Sequence, residues 1–246
     1  MKYDVITIGA ATRDVFLISK KFQIIKSSKF STGVGECVAF GTKIDIDEIV
    51  NGTGGGATNA AATFKNFGFN AAIASRVGDD QTGKGIIEEL KSQNIATELI
   101  RVVKGGETAY STLLTAPNGE RTVLVYRGVS SKFSPKDIPL DSCKAKWFYL
   151  SSLGGNIALS KRIVRHAAKC KAKIAWNPGG KEITQGLTAF SSILKDVSVL
   201  NMNLEEAQGL TKKKKIDDIF STLNRPNNIT IVTDGTKGAY AHKDGV

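Results

Sequence analysis

Short apolar, β-branched runs recur along the chain, and between them apolar residues fall three and four positions apart. "YDVITIG", "AAIASRVG", "KWFYLS", "AKIAWNP", "VSVLNMN" and "ITIVTDG" show little in–out alternation, which predicts strands covered on both faces. "ATNAAATFKNFG", "TGKGIIEELKSQ", "NIALSKRIVRHAAKC" and "GLTAFSSILKDV" separate them as helical patterns. In the second of these Ile86, Ile87 and Leu90 share a face; in the third Leu159, Ile163, Ala167 and Cys170 do. Strands alternating with helices in this way predict an α/β fold, a mostly parallel sheet with helices on both sides. Two segments break the rhythm: "FQIIKSSKFSTGVGECVAFGTKIDIDEIV" and "ETAYSTLLTAPNGERTVLVYRG" alternate polar and apolar residues, and the second holds the turn signal "APNGER". Alternation means one wet and one covered face, so these segments, about 15–50 and 107–128, are expected to form a small β-sheet lid. With no repeat, low-complexity tract or linker, residues 1–246 are expected to be a single domain.

Composition narrows the chemistry. Cys37, Cys143 and Cys170 form no CxxC pair, which predicts a reducing, cytoplasmic setting and no zinc site. The only histidines, His166 and His242, argue against a His-rich metal centre. The start "MKYDVITIG" has no long apolar segment and no run reaches about 18 apolar residues, so neither a signal peptide nor a membrane partner is expected. A net charge of +11 would suit nucleic acid or phosphorylated ligands. However, the densest run, "TKKKK" at Thr211–Lys215, has no interleaved aromatics and follows a helix-like segment whose dipole it suits. A Lys-rich solvated surface is expected, without a nucleic-acid partner.

The stretch "NGTGGGATNAAATFKNFG" carries Gly52, Gly54, Gly55 and Gly56 just ahead of a helical pattern. A dinucleotide fingerprint fits Gly52-x-Gly54-x-x-Ala57, with Asp79 and Asp80 downstream, but the preceding "KIDIDEIV" alternates with charges instead of reading as a buried first strand. A phosphate loop in "GDDQTGK" fails because Gly85 stands where a hydroxyl should follow Lys84; acids and a Thr82 cap at a helix start account for it. The third reading is a platform for a hydroxyl-rich molecule. Glycine lets a polyol lie against main-chain N–H groups, and Asn59, one turn into the helix, offers a carbonyl and an amide.

"TGGGATNAAATFKNFGFNAAIASRVGDDQTG" resembles the first signature of the ribokinase-like (PfkB-type) carbohydrate kinases, and "ITIGAATRD", the two alternating segments, "NLEEAQGLT" and "VTDGTKGAY" resemble further family pieces in the family's order. The resemblance implies a three-layer α/β/α sandwich with a β-sheet lid. It also implies an ATP- and Mg²⁺-dependent phosphotransferase acting on a hydroxyl of a sugar, nucleoside or related metabolite, with a homodimer through the lid. Carried onto this chain, it assigns Asp14, Gly55 and Asn59 to substrate, Asn203 and Glu206 to Mg²⁺ through water, and Thr233, Gly235 and Gly238 to the nucleotide. Read without the family, Asn203 is a helix N-cap with acids in the first turn, and "DGTKG" an ordinary turn.

Two departures stand out. The family's Gly-Ala-Gly-Asp segment, whose Asp would serve as general base and whose helix start would form an anion hole, is not found. It is expected beyond Val246, the alternative being a non-catalytic relative; Asp244-Gly245 reads only as a hairpin turn. Where ribokinase proper places an acid for ribose, Leu153-Gly154-Gly155 stands, so ribose is not the default substrate. Arg127, at the end of a lid strand, reads as a rim residue or as a contact for an anionic substrate.

Overall fold

The structure, a computed structural model, describes residues 2–30 and 32–243. Asp244 and Gly245, read above as a turn, lie outside the described residues. The chain opens with β1 (Tyr3–Ile8), turns into a smaller sheet through β2 (Thr12–Ile18), and makes a hairpin of β3 (Gln23–Lys26) and β4 (Val34–Cys37). It returns through β5 (Glu48–Gly54) to α1 (Gly56–Asn66), then β6 (Ala71–Ala74), β7 (Arg76–Gly78), α2 (Gln81–Ser92) and β8 (Arg101–Val103). The hairpin β9 (Ala109–Thr115) and β10 (Arg121–Tyr126) follows, then β11 (Ala145–Leu150), α3 (Ile157–Lys169), β12 (Lys173–Trp176), α4 (Gly180–Ile183) and α5 (Leu187–Leu194). The last elements are β13 (Val199–Asn203), α6 (Leu204–Thr211), α7 (Ile216–Leu223), β14 (Ile229–Thr233) and β15 (Ala239–His242).

Unalternated apolar strands build the main sheet, ordered β15-β14-β13-β12-β11-β1-β6 and parallel except for the edge strand β15. One face is sealed: Ile6, Ile8, Phe148, Leu150 and Leu200 are buried in one core with α3, α5, α6 and α7, where Trp176 stacks on Phe190 at 4.6 Å. On the other face α1 and α2 form a second cluster around Ile73, with Ala57, Ala61, Ile86 and Leu90. This is the ribokinase-like layered α/β architecture. Among the described residues, no helix is long and apolar enough to cross a membrane.

The alternating segments supply a four-stranded sheet, β10-β9-β2-β5, in which β2 pairs parallel with β9 and antiparallel with β5. It is joined to the body on its outer side. Arg13 pairs with Glu89 of α2 at 2.8 Å, and the same carboxylate accepts the Thr53 N–H at 3.1 Å. Burial pushes the Glu89 carboxyl up, but the bonds from Thr53 and Arg13 outweigh it and hold it below the usual range.

Three sequence expectations need correction. "AAIASRVG" is two strands: the Ser75 hydroxyl bonds the Gly9 carbonyl at 2.6 Å, and beyond it Arg76–Gly78 leaves the main sheet to pair with β8. Cys170 is exposed, because it follows the last packed turn of α3 as its C-cap. The cap of α2 is Asp80, not Thr82. Its carboxylate takes the Gly83 N–H at 2.7 Å and also the Thr108 N–H and hydroxyl at 2.7 and 2.6 Å, tying the helix start to the base of β9.

The segment between β10 and β11 is anchored by Asp137, whose buried carboxylate meets Arg76 at 2.9 Å and Arg101 at 3.2 Å and accepts from Ser134. Replacing it with asparagine keeps an acceptor but leaves two guanidiniums facing a neutral amide. Asp137→Asn is expected to cost about 2 kcal/mol. In a domain of this size that lowers Tm by roughly 4–8 °C, readable by calorimetry.

Candidate active site

The site begins where β1 hands the chain to β2 and β5 returns it to α1. Register puts Thr12 beside Gly54 and Ala109, and Asp14 beside Gly52 and Ser111, all on one side of the small sheet; Val125 continues the Ser111 row on β10. The Asp14 carboxylate lies so close over Gly54 that a Cβ there would overlap it. Burial raises the Asp14 carboxyl above the ordinary aspartate range, opposed by the Ser111 hydroxyl and the Arg13 charge. Next in the chain, Gly55 has φ 103° and ψ 148°, and any Cβ would overlap the Ala10 carbonyl oxygen. The backbone needs glycine there. Asn59 sits one turn further, its N–H on the Gly55 carbonyl at 2.9 Å and its side chain exposed.

A cleft of about 420 Å³ opens between this side of the small sheet and the carboxyl ends of the main strands. Ala10, Thr12, Ala109 and Val125 line one side, Ser152, Gly154, Gly179 and Gly180 the other, and Arg127 and Lys181 reach it. The second wall is organised by Glu182, which is fully buried. One of its oxygens accepts from the Leu153 and Gly155 N–H groups at 2.8 and 2.9 Å. The other accepts from the Ser152 hydroxyl at 2.8 Å and the Gly179 N–H at 3.2 Å. A slightly larger hollow, about 470 Å³, lies over Phe64, Phe69, Trp147 and Tyr149. Its lining is apolar and its charged pair, Asp4 and Lys146, is bonded together at 2.8 Å, so it offers no converging polar groups for chemistry.

Further along the same sheet edge, Asn203 ends β13 and faces Thr233 at the end of β14. Asn203 caps α6: its Oδ1 accepts the Glu206 N–H at 2.7 Å, and Glu206 Oε2 accepts the Asn203 N–H at 3.0 Å. The cap reading of these residues is therefore realised. It leaves the Asn203 amide donor and the second Glu206 oxygen outside the reciprocal pair. Gly235 and Gly238 flank the turn into β15, and a Cβ at either would meet nothing within 4 Å. An open backbone shelf beside a hard-oxygen donor fits a nucleotide and a largely hydrated Mg²⁺.

The family model described as pfkB family carbohydrate kinase matches residues 4–246. The chain belongs to this family. Among curated proteins, this PfkB-family chain is 24% identical over 235 residues to the ribokinase of Dictyostelium discoideum, covering 93% of the chain and 64% of that protein. It is 27% identical over 199 residues to fructokinase-2 of Solanum lycopersicum, covering 75% and 61%. The chain thus spans less than two thirds of the length of these relatives. In fold it is similar to the Arabidopsis thaliana ribokinase solved with ribose and ATP, with a TM-score of 0.74 at 17% identity, over 100% of this chain and 76% of that one.

In this PfkB-family chain, Asp14 lies against Gly54 just ahead of Gly55 and Asn59 follows Gly55 by one turn, while Asn203, Glu206, Thr233, Gly235 and Gly238 lie at and beyond the carboxyl ends of β13 and β14. From β1 to β13 is three strand spacings, roughly 14 Å. The two groups do not touch, and none of these residues lines the 420 Å³ cleft itself, although Thr12 of that lining is Asp14's neighbour on the same face of β2. Sequence reading overlooked Glu182, Lys181 and Ser111. For Glu182 a signal existed: Gly179-x-x-Glu182 has the spacing of a helix-start residue and its reciprocal N3 acid.

Proposed function

We propose that this protein is an ATP- and Mg²⁺-dependent phosphotransferase that phosphorylates a hydroxyl of a small sugar, nucleoside or sugar derivative. The carrying observation is the Asp14 carboxylate seated against bare glycine backbone at the carboxyl end of a parallel sheet, a common place for ligands in such folds. Asp14 accepts hydrogen bonds from two neighbouring hydroxyls, charge-assisted and therefore strong, while the Asn59 amide both donates and accepts. Thr233, Gly235 and Gly238 border the nucleotide, the Asn203 amide donates to phosphate oxygens, and the second Glu206 oxygen reaches the hydrated metal. Mg²⁺, when bound, neutralises charge on the transferring phosphoryl group. The lid keeps water from competing with the substrate hydroxyl.

Exposed Ile49, Val50, Val123, Leu124 and Tyr126 on the lid support a homodimer formed there, and the free thiols support a cytoplasmic location.

Phosphoryl transfer is tested by ADP release with ATP and a panel of sugars and nucleosides. The polyol site is tested separately by ligand-induced rises in Tm. Asp14→Asn is expected to weaken polyol binding about 100-fold, from loss of charged hydrogen bonds. Only the carboxylate accepts from both hydroxyls, and burial raises its pKa. Affinity should therefore fall as pH is lowered through a titration lying above that of an ordinary aspartate. Unchanged polyol affinity in Asp14→Asn would sink the reading.

A further inference from the structure

The cleft has an electrical polarity that the proposed reaction does not use. Its two charged lining residues, Arg127 and Lys181, are both cations, one just past β10 of the small sheet and the other on α4 of the body. No carboxylate pairs with either among the described residues. Glu182, next to Lys181, makes no ion pair with it: that carboxylate is buried behind the wall with its oxygens bonded to Ser152, Leu153, Gly155 and Gly179, so the charged groups on the lining itself are the two cations. The other lining groups, Ala, Gly, Ser, Thr and Val, are neutral, and such walls concentrate the field of the two cations inside the cleft. Of the acids at the small sheet, Glu107 is engaged by the Tyr126 hydroxyl beside Arg127, and Asp14 sits on β2. Arg127 lies one residue past β10, two strand spacings away, roughly 10 Å.

We infer that the substrate is an anionic polyol. Its hydroxyl end meets Asp14, and its phosphate or carboxylate is clamped between Arg127 and Lys181. The inference rests on the proposed polyol site and adds its substrate class. The Arg127 fork suits two oxygens of either anion, and Lys181 supplies a point charge from α4. Placing the anion at this end also keeps it away from the Asp14 carboxylate, with which it would otherwise clash in charge.

The test is titration calorimetry of the purified protein with three probes: a neutral hexose, its monophosphate and the corresponding sugar acid. At least one anionic probe is expected to bind about tenfold or more tightly than the neutral hexose. Arg127→Gln and Lys181→Gln should each lower anionic affinity about tenfold and collapse that preference. Raising ionic strength should weaken only the anionic complexes. Phosphate or carboxylate selectivity names the anion, and either supports the inference. If the neutral hexose binds as tightly as both anions and the two variants change nothing, the anion clamp is overturned while the polyol site stands. If no probe binds, or Asp14→Asn binds all of them like wild type, the polyol site falls and takes the clamp with it.

Discussion

Glu182→Ala lowers Tm by roughly 8–16 °C and abolishes ligand-induced stabilisation. The carboxylate is buried and takes three backbone N–H groups and one hydroxyl, from Leu153, Gly155, Gly179 and Ser152. Alanine leaves those donors without an acceptor at about 1–3 kcal/mol each, and water entering the void recovers part of the loss. A net cost of about 4 kcal/mol gives the stated shift at 2–4 °C per kcal/mol. Function suffers separately, because the four donors belong to the two loops that form one cleft wall. Glu182→Gln should fall between: its carbonyl keeps one pair of bonds, while its NH₂ confronts the other pair of donors. Calorimetry with and without polyol checks both parts. Wild-type melting in Glu182→Ala would mean that the loops hold themselves.

Gly55→Ala should be nearly as costly, for a backbone reason. The native φ of 103° with ψ 148° is ground that residues with a Cβ rarely adopt, at about 1–3 kcal/mol. The added methyl would also overlap the Ala10 carbonyl oxygen and lie 2.8 Å from its carbon and 3.1 Å from the Ala11 Cα. That carbonyl receives the Ala57 N–H at 3.2 Å, so the clash pries the β1–β2 connection from the start of α1. Overpacking adds about 1–3 kcal/mol, for a total of about 4 kcal/mol and a fall in Tm of roughly 8–16 °C. Because Asp14 and Asn59 lie on the two segments forced apart, polyol binding should be lost with it. Gly52→Ala is the control. Its Cβ meets nothing within 4 Å and its φ is not positive, so its stability should stay within about 1 kcal/mol of wild type. A Gly55→Ala protein that melts with the Gly52→Ala control refutes the argument.

Much of the architecture was legible locally. Unalternated apolar runs became the parallel sheet, the polar–apolar alternation became the smaller one, and Ile86, Leu90, Leu159 and Ile163 are buried as their spacing requires. These features follow from which side of an element must leave water, and neighbouring residues decide that. Where local reading failed, a distant group intervened. Ser75 breaks a continuous apolar run because the Gly9 carbonyl and Arg101 N–H claim it, and Asp80 rather than Thr82 caps α2 because Thr108 adds two bonds to its carboxylate.

By itself, then, the sequence determined the layer order, the bare glycine approach to α1 and the identity of the polar residues flanking it, since backbone freedom and hydrophobic period are properties of short stretches. Only the tertiary structure decided that Asp14 lies over Gly54 and that Glu182 adds to the nearby Gly179 N–H three donors from a loop about thirty residues away. It alone brought Arg127 and Lys181 into the lining of one cleft. Those relations depend on strand order and register, which bring together groups that no local pattern connects.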